Sequence, residues 1–229
     1  MQLAAILYSQ GFGDRRECAA RVAAGQVQTA GRVVDDPQAD IDTDGLVLHI
    51  EGRDWPFHAR ALLMLNKPAG YECSRVPRQH PGVLELLPPP LRRRGVQPVG
   101  RLDADTTGLL LLTDDGALIH RLTSPKHNVP KVYEVLARHP PSDEQIERLR
   151  QGVVLVDDPR PTRVAGCERI DDLRLRLVLA EGRYHQVKRM LGAVGNRCDA
   201  LHRSAFGALT LPPGLASGQW CWLDIDVAI

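Results

Sequence analysis

Apolar residues follow three patterns along this chain, and these patterns predict its strands and helices. The run GLLLLT (108–113) is apolar over most of its length, as expected of a strand buried on both faces. The run LRLRLVLAEG (173–182) alternates from its first residue, which predicts a strand with one face in water. The run YHQVKRMLGAVG (184–195) repeats its apolar residues every three to four positions, which is typical of an amphipathic helix.

The same criteria predict the remaining elements. Helices are expected at 3–11, 15–25, 117–125 and 142–152, a hairpin at 27–37, and further strands at 44–52, 61–67, 99–103, 131–137, 208–211 and 220–225. Strands outnumber helices and rarely alternate with them in the βαβ order of a parallel sheet. We therefore expect an α+β fold, with a mixed, largely antiparallel sheet and helices around a central cleft.

The charge distribution suggests two domains, 1–58 and 60–229. Residues 1–58 contain five arginines, no lysine and nine acidic residues, a net charge of −4, so the remainder carries +5 of the total of +1. The first domain is predicted as a small α+β unit. A polyanion should be attracted to the second, larger domain.

Composition and motifs narrow the function classes. The five cysteines are scattered and include no C-x-x-C pair, so we expect reduced thiols and no metal site. No apolar run approaches the roughly 20 residues that cross a bilayer, and the N-terminus does not read as a secretory signal. We expect a cytoplasmic monomer that does not associate with membranes.

Asp103 stands between Leu102 and the apolar run that starts at Gly108. A carboxylate there should be partly desolvated, and a fixed cation would keep it ionised and nucleophilic. Lys188, on the predicted helix 184–195, is the best candidate for that cation. From the residues alone, Lys188 could equally be a surface lysine lying along an apolar stripe, and Asp103 with Asp105 could simply cap a turn.

Tyr133 lies in the otherwise aliphatic strand KVYEV, next to Lys131. An aromatic ring beside a cation can stack on a nucleobase, although a core tyrosine with its hydroxyl at the rim is the simpler reading. Arg101 is two residues before Asp103 and would point to the same side of an extended segment.

Basic residues cluster around these positions. Residues 119–139 and residues 181–205 each carry a net charge of +3. Two such clusters beside one aspartate would suit a phosphate backbone laid across a site.

The strings LNKPAGYECS, GRLDADTTGLLLLTDDG, HRLTSP, KVYEV, EGRYHQVKRMLGAVGN and LHR together resemble the ribosomal RNA pseudouridine synthases over 60–229. The resemblance implies that Asp103 is the catalytic aspartate, Tyr133 the tyrosine that stacks on the target base and Lys188 the partner of the aspartate. It implies that Arg101 helps to hold a displaced base. No metal or organic cofactor is expected.

The first domain resembles, more weakly, the alpha-L RNA-binding domain of that family. It departs from the family pattern at Gln2 and Ala5, where basic residues are usual, although Arg15 and Arg16 remain. The residues expected to bind RNA are Arg101, Lys67, Lys131, Arg183, His185, Gln186, Arg189, Arg15 and Arg16.

The resemblance favours a substrate in small-subunit ribosomal RNA, because YHQVKRM has lysine where large-subunit members commonly have arginine. It implies uridine 516 as the target, and the substrate is expected to be a small-subunit assembly intermediate. Three alternatives remain: a large-subunit synthase, a non-catalytic RNA-binding assembly factor, and a metal site at Asp103 and Asp105 for phosphoryl or glycosyl transfer.

Overall fold

The chain forms two compact units, one of residues 1–61 with 84–97 and one of residues 62–83 with 98–229. The computed structural model describes residues 1–124, 126–156 and 158–224. Pro125, at the end of a predicted helix, and residue 225, at the end of a predicted strand, lie outside the described residues. The segment 84–97 returns to the first unit, although the sequence interpretation placed it in the second.

The first unit is a small α+β structure. Its elements are α1 (Leu3–Ser9), α2 (Arg15–Ala23), β1 (Val27–Thr29), β2 (Arg32–Val33), β3 (Val47–Ile50), β4 (Arg53–Pro56) and α3 (Pro89–Arg93). The strands form a sheet in the order β2-β1-β3-β4. Helix α2 begins with a capping box, in which Asp14 accepts from the amide of Glu17 and the Glu17 carboxylate accepts from the amide of Asp14.

Helix α3 lies in a proline- and arginine-rich stretch for which the sequence predicted only a loop. Proline is tolerated in the first turn of a helix, where its missing N–H has no intrahelical partner. The helix buries Leu91 and packs against Gly11, where a Cβ atom would lie only 2.1 Å from the carbonyl oxygen of Pro90. The glycine is therefore required for this approach, and its φ of +85° is also one that glycine favours.

The second unit contains a mixed sheet. Its elements are β5 (Leu62–Lys67), β6 (Gln97–Pro98), β7 (Thr107–Thr113), α4 (Gly116–Thr123), β8 (Lys131–Ala137), α5 (Asp143–Gln151), β9 (Val153–Leu155), β10 (Asp158–Thr162), β11 (Gly166–Arg169), β12 (Arg174–Leu179), α6 (Gln186–Ala193), β13 (Cys198–Phe206), β14 (Leu209–Thr210) and β15 (Trp220–Trp222). The main path of the sheet runs β11-β12-β8-β13-β7-β5-β15, and β9 pairs separately with β10. The predicted α+β fold with a largely antiparallel sheet is confirmed.

Other elements differ from the sequence predictions. The predicted strand at 99–103 is a loop, and the nearby strand is β6. Strands β4, β9, β10 and β11 were not predicted, because runs of three to five residues are too short to show a clear period.

Two hydrophobic clusters support the second unit, and they meet near a seam between β7 and β13. The first is built mainly on β5, β7 and α4, and the second mainly on β8, β12, α5 and α6. Strand β13 contributes Phe206 to the first cluster and Leu201 to the second. Strands β7 and β13 are parallel and pair through Thr107 with His202 and through Gly108 with Arg203.

No helix among the described residues combines the length and the apolar character needed to cross a membrane.

Gly108 sets how closely the two strands of the seam approach. A Cβ atom there would lie 2.3 Å from the carbonyl oxygen of Arg203, at a φ of +102°. We expect Gly108→Ala to lower the free energy of unfolding by about 2–4 kcal/mol, the range of steric overpacking and left-handed strain combined. Urea unfolding measures this change.

Gly116→Ala is the matched control, because a Cβ atom at Gly116 meets nothing within 4 Å and the residue opens helix α4. It should leave the unfolding midpoint nearly unchanged or raise it slightly. Equal midpoints for the two variants would show that the seam tolerates a Cβ atom.

Candidate active site

A buried lysine holds the loop that leads into β7. The Lys67 side chain is fully buried, and its Nζ donates to the carbonyl oxygens of Pro68 (3.0 Å), Asp103 (3.1 Å), Ala104 (3.1 Å) and Thr106 (2.9 Å). Burial lowers the pKa of Lys67 from its ordinary value. The expectation that Lys67 binds RNA is wrong, because no part of its side chain reaches the surface.

The Asp103 carboxylate lies between two basic side chains. Its Oδ2 is 3.0 Å from Lys188 Nζ and its Oδ1 is 3.3 Å from His185 Nε2. The side chain is 27% exposed, so it is shielded from water on most sides but still open to a ligand. The predicted pairing of Asp103 with a cation on the late helix is thus present in the structure.

Lys188 binds a second carboxylate. Its Nζ lies 2.6 Å from Asp105 Oδ1. Burial favours the neutral amine, but the hydrogen bonds and charges of Asp105 and Asp103 outweigh it and raise the pKa of Lys188. Burial opposes ionisation of Asp105 as well, yet the Lys188 hydrogen bond and charge lower the pKa of that carboxyl. The ammonium therefore stays charged throughout the neutral range.

This arrangement bears on the alternative metal site at Asp103 and Asp105. An ammonium group already occupies the position between the two carboxylates. Among the residues that the structure describes, no group of three or more His, Cys, Asp and Glu side chains is arranged to hold a metal ion.

His185 sits at the start of α6 in a left-handed conformation, with a φ of 47°. Such a conformation is uncommon for a residue with a side chain and persists only where its surroundings impose it. The imidazole stacks on the ring of Tyr184, with centroids 3.8 Å apart and planes 21° apart. The same residue therefore starts the helix and presents its ring to Asp103.

A buried polar network holds this turn in place. Gln186 Nε2 donates to Thr162 Oγ1 (2.7 Å) and Glu181 Oε1 (2.8 Å), and its Oε1 accepts from the amide of Arg183 (2.8 Å). Thr162 also donates to Glu181. The side chain is buried and both its N–H groups are used inside the protein, but Gln186 also lines the cavity described below, so its contact with RNA stays a prediction.

Arg183 belongs to the same network. It pairs with Asp158 at 3.1 Å and with Glu181 at 3.2 Å, and it donates to the carbonyl oxygens of Arg160 and Pro161. Its guanidinium ties the hairpin β9–β10 to the turn before α6. Arg183 still borders the cavity described next, so a contact with RNA remains a prediction.

A cavity of about 570 Å³ opens beside Asp103. Its walls include Arg101, Tyr133, Lys131, His185 and Arg203. The structure thus brings Asp103 together with most of the site residues predicted from the sequence, while Lys188 supports the carboxylate without itself lining the cavity. A volume of this size lies within the range of small-molecule and nucleotide sites.

The remaining predicted residues lie elsewhere. Arg189 is partly buried and donates to the carbonyl oxygen of Tyr184 at 2.9 Å. Arg15 and Arg16 are exposed on α2 of the first unit, and Arg15 lies 4.7 Å from the ring of Tyr8.

Sequence reasoning missed the part that Arg203 plays in the cavity wall. It counted Arg203 only in a basic cluster, although the residue is 2% exposed. An arginine within the otherwise mostly apolar run LHRSAF was the available signal, since an arginine is almost never fully buried without a specific reason.

Comparison with known proteins places the chain in a family. The family model RNA pseudouridylate synthase matches residues 61–193. Ribosomal small subunit pseudouridine synthase A of Yersinia pestis is 42% identical over 86% of this chain and 80% of its own length. The protein of the same name from Escherichia coli (strain K12) is 43% identical over 80% of this chain and 77% of its own length.

A solved structure described as a pseudouridylate synthase superposes with a TM-score of 0.69 at 33% identity, covering 98% of this chain and 96% of that one. The chain belongs to the RNA pseudouridylate synthase family. It is an RNA pseudouridine synthase, and the resemblance inferred from the sequence motifs is confirmed.

The ion pair of Lys188 with Asp103 can be tested by removing the cation. Lys188→Met leaves the Asp103 carboxylate without its ammonium partner. We expect the single-turnover rate to fall by at least about 100-fold, a loss of roughly 2.7 kcal/mol.

Lys188→Arg keeps the charge and is the control, and it should retain most of the rate. A wild-type rate for Lys188→Met would mean that the ion pair does not support Asp103.

Proposed function

We propose that this enzyme converts a uridine to pseudouridine in small-subunit ribosomal RNA, with Asp103 as the catalytic carboxylate. The observation that carries the proposal is the ion pair of Asp103 with Lys188 at the edge of a cavity that also contains Tyr133. The names of the similar proteins from Yersinia pestis and Escherichia coli support the small subunit as the source of the substrate. Uridine 516 is the proposed target within that RNA.

The chemistry requires opposite charges on two parts of one nucleotide. Breaking the bond between N1 and C1′ leaves positive charge on the sugar and negative charge on the uracil. The Asp103 carboxylate facing C1′ would stabilise the sugar, and Lys188, which does not line the cavity, pairs with that carboxylate at 3.0 Å. The base then turns and rejoins the sugar through C5, which gives pseudouridine.

The target base must leave the RNA stack before it can turn. Unstacking costs a few kcal/mol, and stacking on an aromatic ring returns about 1–3 kcal/mol. We assign that stacking to Tyr133, which lies on β8 in the cavity wall. Arg101, exposed at the cavity edge, is assigned to holding the base displaced from the partner strand.

The rest of the RNA is proposed to lie along the basic clusters of the second unit. Arg189 and His185 belong to the cluster next to α6, and exposed phosphate contacts there would fix the RNA without reading its sequence. Arg15 and Arg16 would add a weak contact from the first unit, whose net charge is negative. The substrate we propose is a small-subunit assembly intermediate, bound by a monomer in the cytoplasm without a cofactor.

Release of tritium from RNA labelled at uridine C5 tests the function, because C5 loses its hydrogen when it bonds to C1′. We expect release from small-subunit RNA, alone or in an assembly intermediate, and none from large-subunit RNA. Release only from large-subunit RNA would overturn the proposed substrate. No release from any ribosomal RNA would favour a non-catalytic binding factor.

Asp103→Asn tests the proposed catalytic residue. We expect turnover to be lost while RNA affinity falls less than about tenfold, since most binding contacts are to phosphates. Tritium release and a filter-binding titration measure the two quantities. Asp172→Asn, an exposed acid that does not line the cavity, is the control and should behave as the wild type. A wild-type rate for Asp103→Asn would contradict the assignment.

A further inference from the structure

Two cations share one wall of the cavity with Tyr133. Lys131 and Tyr133 are two residues apart on β8, so their side chains lie on the same face of the sheet. On the neighbouring strand β13, Arg203 pairs with Tyr133 and Phe206 pairs with Lys131. All four side chains line the cavity that also contains Asp103.

Neither of these cations has an acidic partner among the residues that the structure describes. Arg203 Nε donates to the carbonyl oxygen of Leu109 at 2.7 Å, and its Nη2 is buried with no hydrogen-bond partner. Lys131 contacts the ring of Phe206, with Nζ 5.4 Å from the centroid, and Arg203 lies 5.3 Å from the same ring. The other lysines of the unit that are buried or partly buried differ: Lys188 has two carboxylates and Lys67 has four carbonyl oxygens.

Placing two like charges together in a half-buried site is unfavourable. Burial, and then the charge of Arg203, lower the pKa of Lys131. A pair of cations without an acidic partner in a cavity wall is a candidate anion site, since an anion beside it would remove both the repulsion and the unmet hydrogen bond.

We propose that Lys131 and Arg203 stabilise the negative charge that the uracil ring acquires when its bond to the sugar breaks. This inference rests on the proposed function. The electron pair of the C1′–N1 bond leaves with the base and spreads over N1, O2 and O4, while Asp103 balances the charge on the sugar. The cations donate hydrogen bonds and transfer no proton. The charge on the ring ends when C5 bonds to C1′, C5 loses its proton to solvent, and N1 gains one.

The position of the pair favours the base over a phosphate group as its ligand. Lys131 lies two residues before Tyr133 on β8, and Arg203 lies opposite Tyr133 on β13. A base stacked on Tyr133 would therefore have its edge next to them. The cavity then has a negative group at Asp103 for the sugar and positive groups at Lys131 and Arg203 for the base.

The test uses Lys131→Met, because Lys131 is only half-buried whereas a substitution of the buried Arg203 could prevent folding. We expect the single-turnover rate on uridine-containing RNA to fall by at least about 100-fold. Lys131→Arg keeps the charge and should retain most of the rate. Arg176→Met removes an exposed cation from the adjacent strand β12 and should leave the rate unchanged.

A second substrate distinguishes a contact of Lys131 with the base from a contact with a phosphate group. RNA with 5-fluorouridine at the target has a better leaving group, because fluorine withdraws electron density from the ring. Its C5 carries fluorine and has no proton to lose, so the quantity compared in both RNAs is the loss of the N1-linked nucleotide, measured after digestion of the RNA. We expect Lys131→Met to slow this loss at least tenfold less in the 5-fluorouridine RNA than in the uridine RNA. Equal slowing of both RNAs, relieved by a neutral methylphosphonate on the 5′ side of the target, would assign Lys131 to a phosphate and overturn the proposal.

A wild-type rate for Lys131→Met would also overturn it, while leaving the proposed function intact. If the proposed function itself is wrong, the wild-type enzyme will convert no ribosomal RNA. The affinity for uridine 5′-monophosphate is then measured for the wild type and for Lys131→Met. Equal affinities would show that the base site does not exist.

Discussion

The ammonium group of Lys188 joins two parts of the second unit. Lys188 stands on α6, which packs into the cluster of β8, β12 and α5, whereas Asp103 and Asp105 precede β7 in the other cluster. The ion pair therefore bridges the seam between β7 and β13. Since it has two carboxylates within reach, the cation is neutralised even while Asp103 takes part in chemistry. Its ammonium pairs with Asp103 without lining the cavity.

The supporting contacts make this arrangement rigid. Lys67 fixes the backbone of the loop that contains Asp103, because it donates to carbonyl oxygens 36 to 39 residues further along the chain. The turn before α6 is fixed by the hydrogen bonds that Gln186 donates to Thr162 and Glu181. Groups held in this way need little reorganisation when charge develops on a substrate, which is the main source of electrostatic catalysis.

How much the sequence predicts depends on the range of the contacts involved. The buried strand β7, the amphipathic helix α6 and the capped helix α5 follow from local spacing. The cost of a desolvated carboxylate favours a cation near Asp103, but the residues alone left Lys188 open and the family resemblance identified it as that cation. Lys67 was misassigned because lysine is usually exposed, and its partners are set only by the tertiary fold. Helix α3 was missed because its prolines favour a loop in local rules.

The double core has a consequence for how this enzyme can diverge. Each wall of the cleft rests largely on its own packed interior, although β13 contributes Leu201 to one interior and Phe206 to the other. The walls are joined by the pairing of β7 with β13 and by the contacts of Lys188 and His185 with Asp103. A lineage could remodel the RNA-facing surface of one wall and leave the packing beneath the other untouched. Recognition of a new transcript would then evolve separately from the reactive carboxylate.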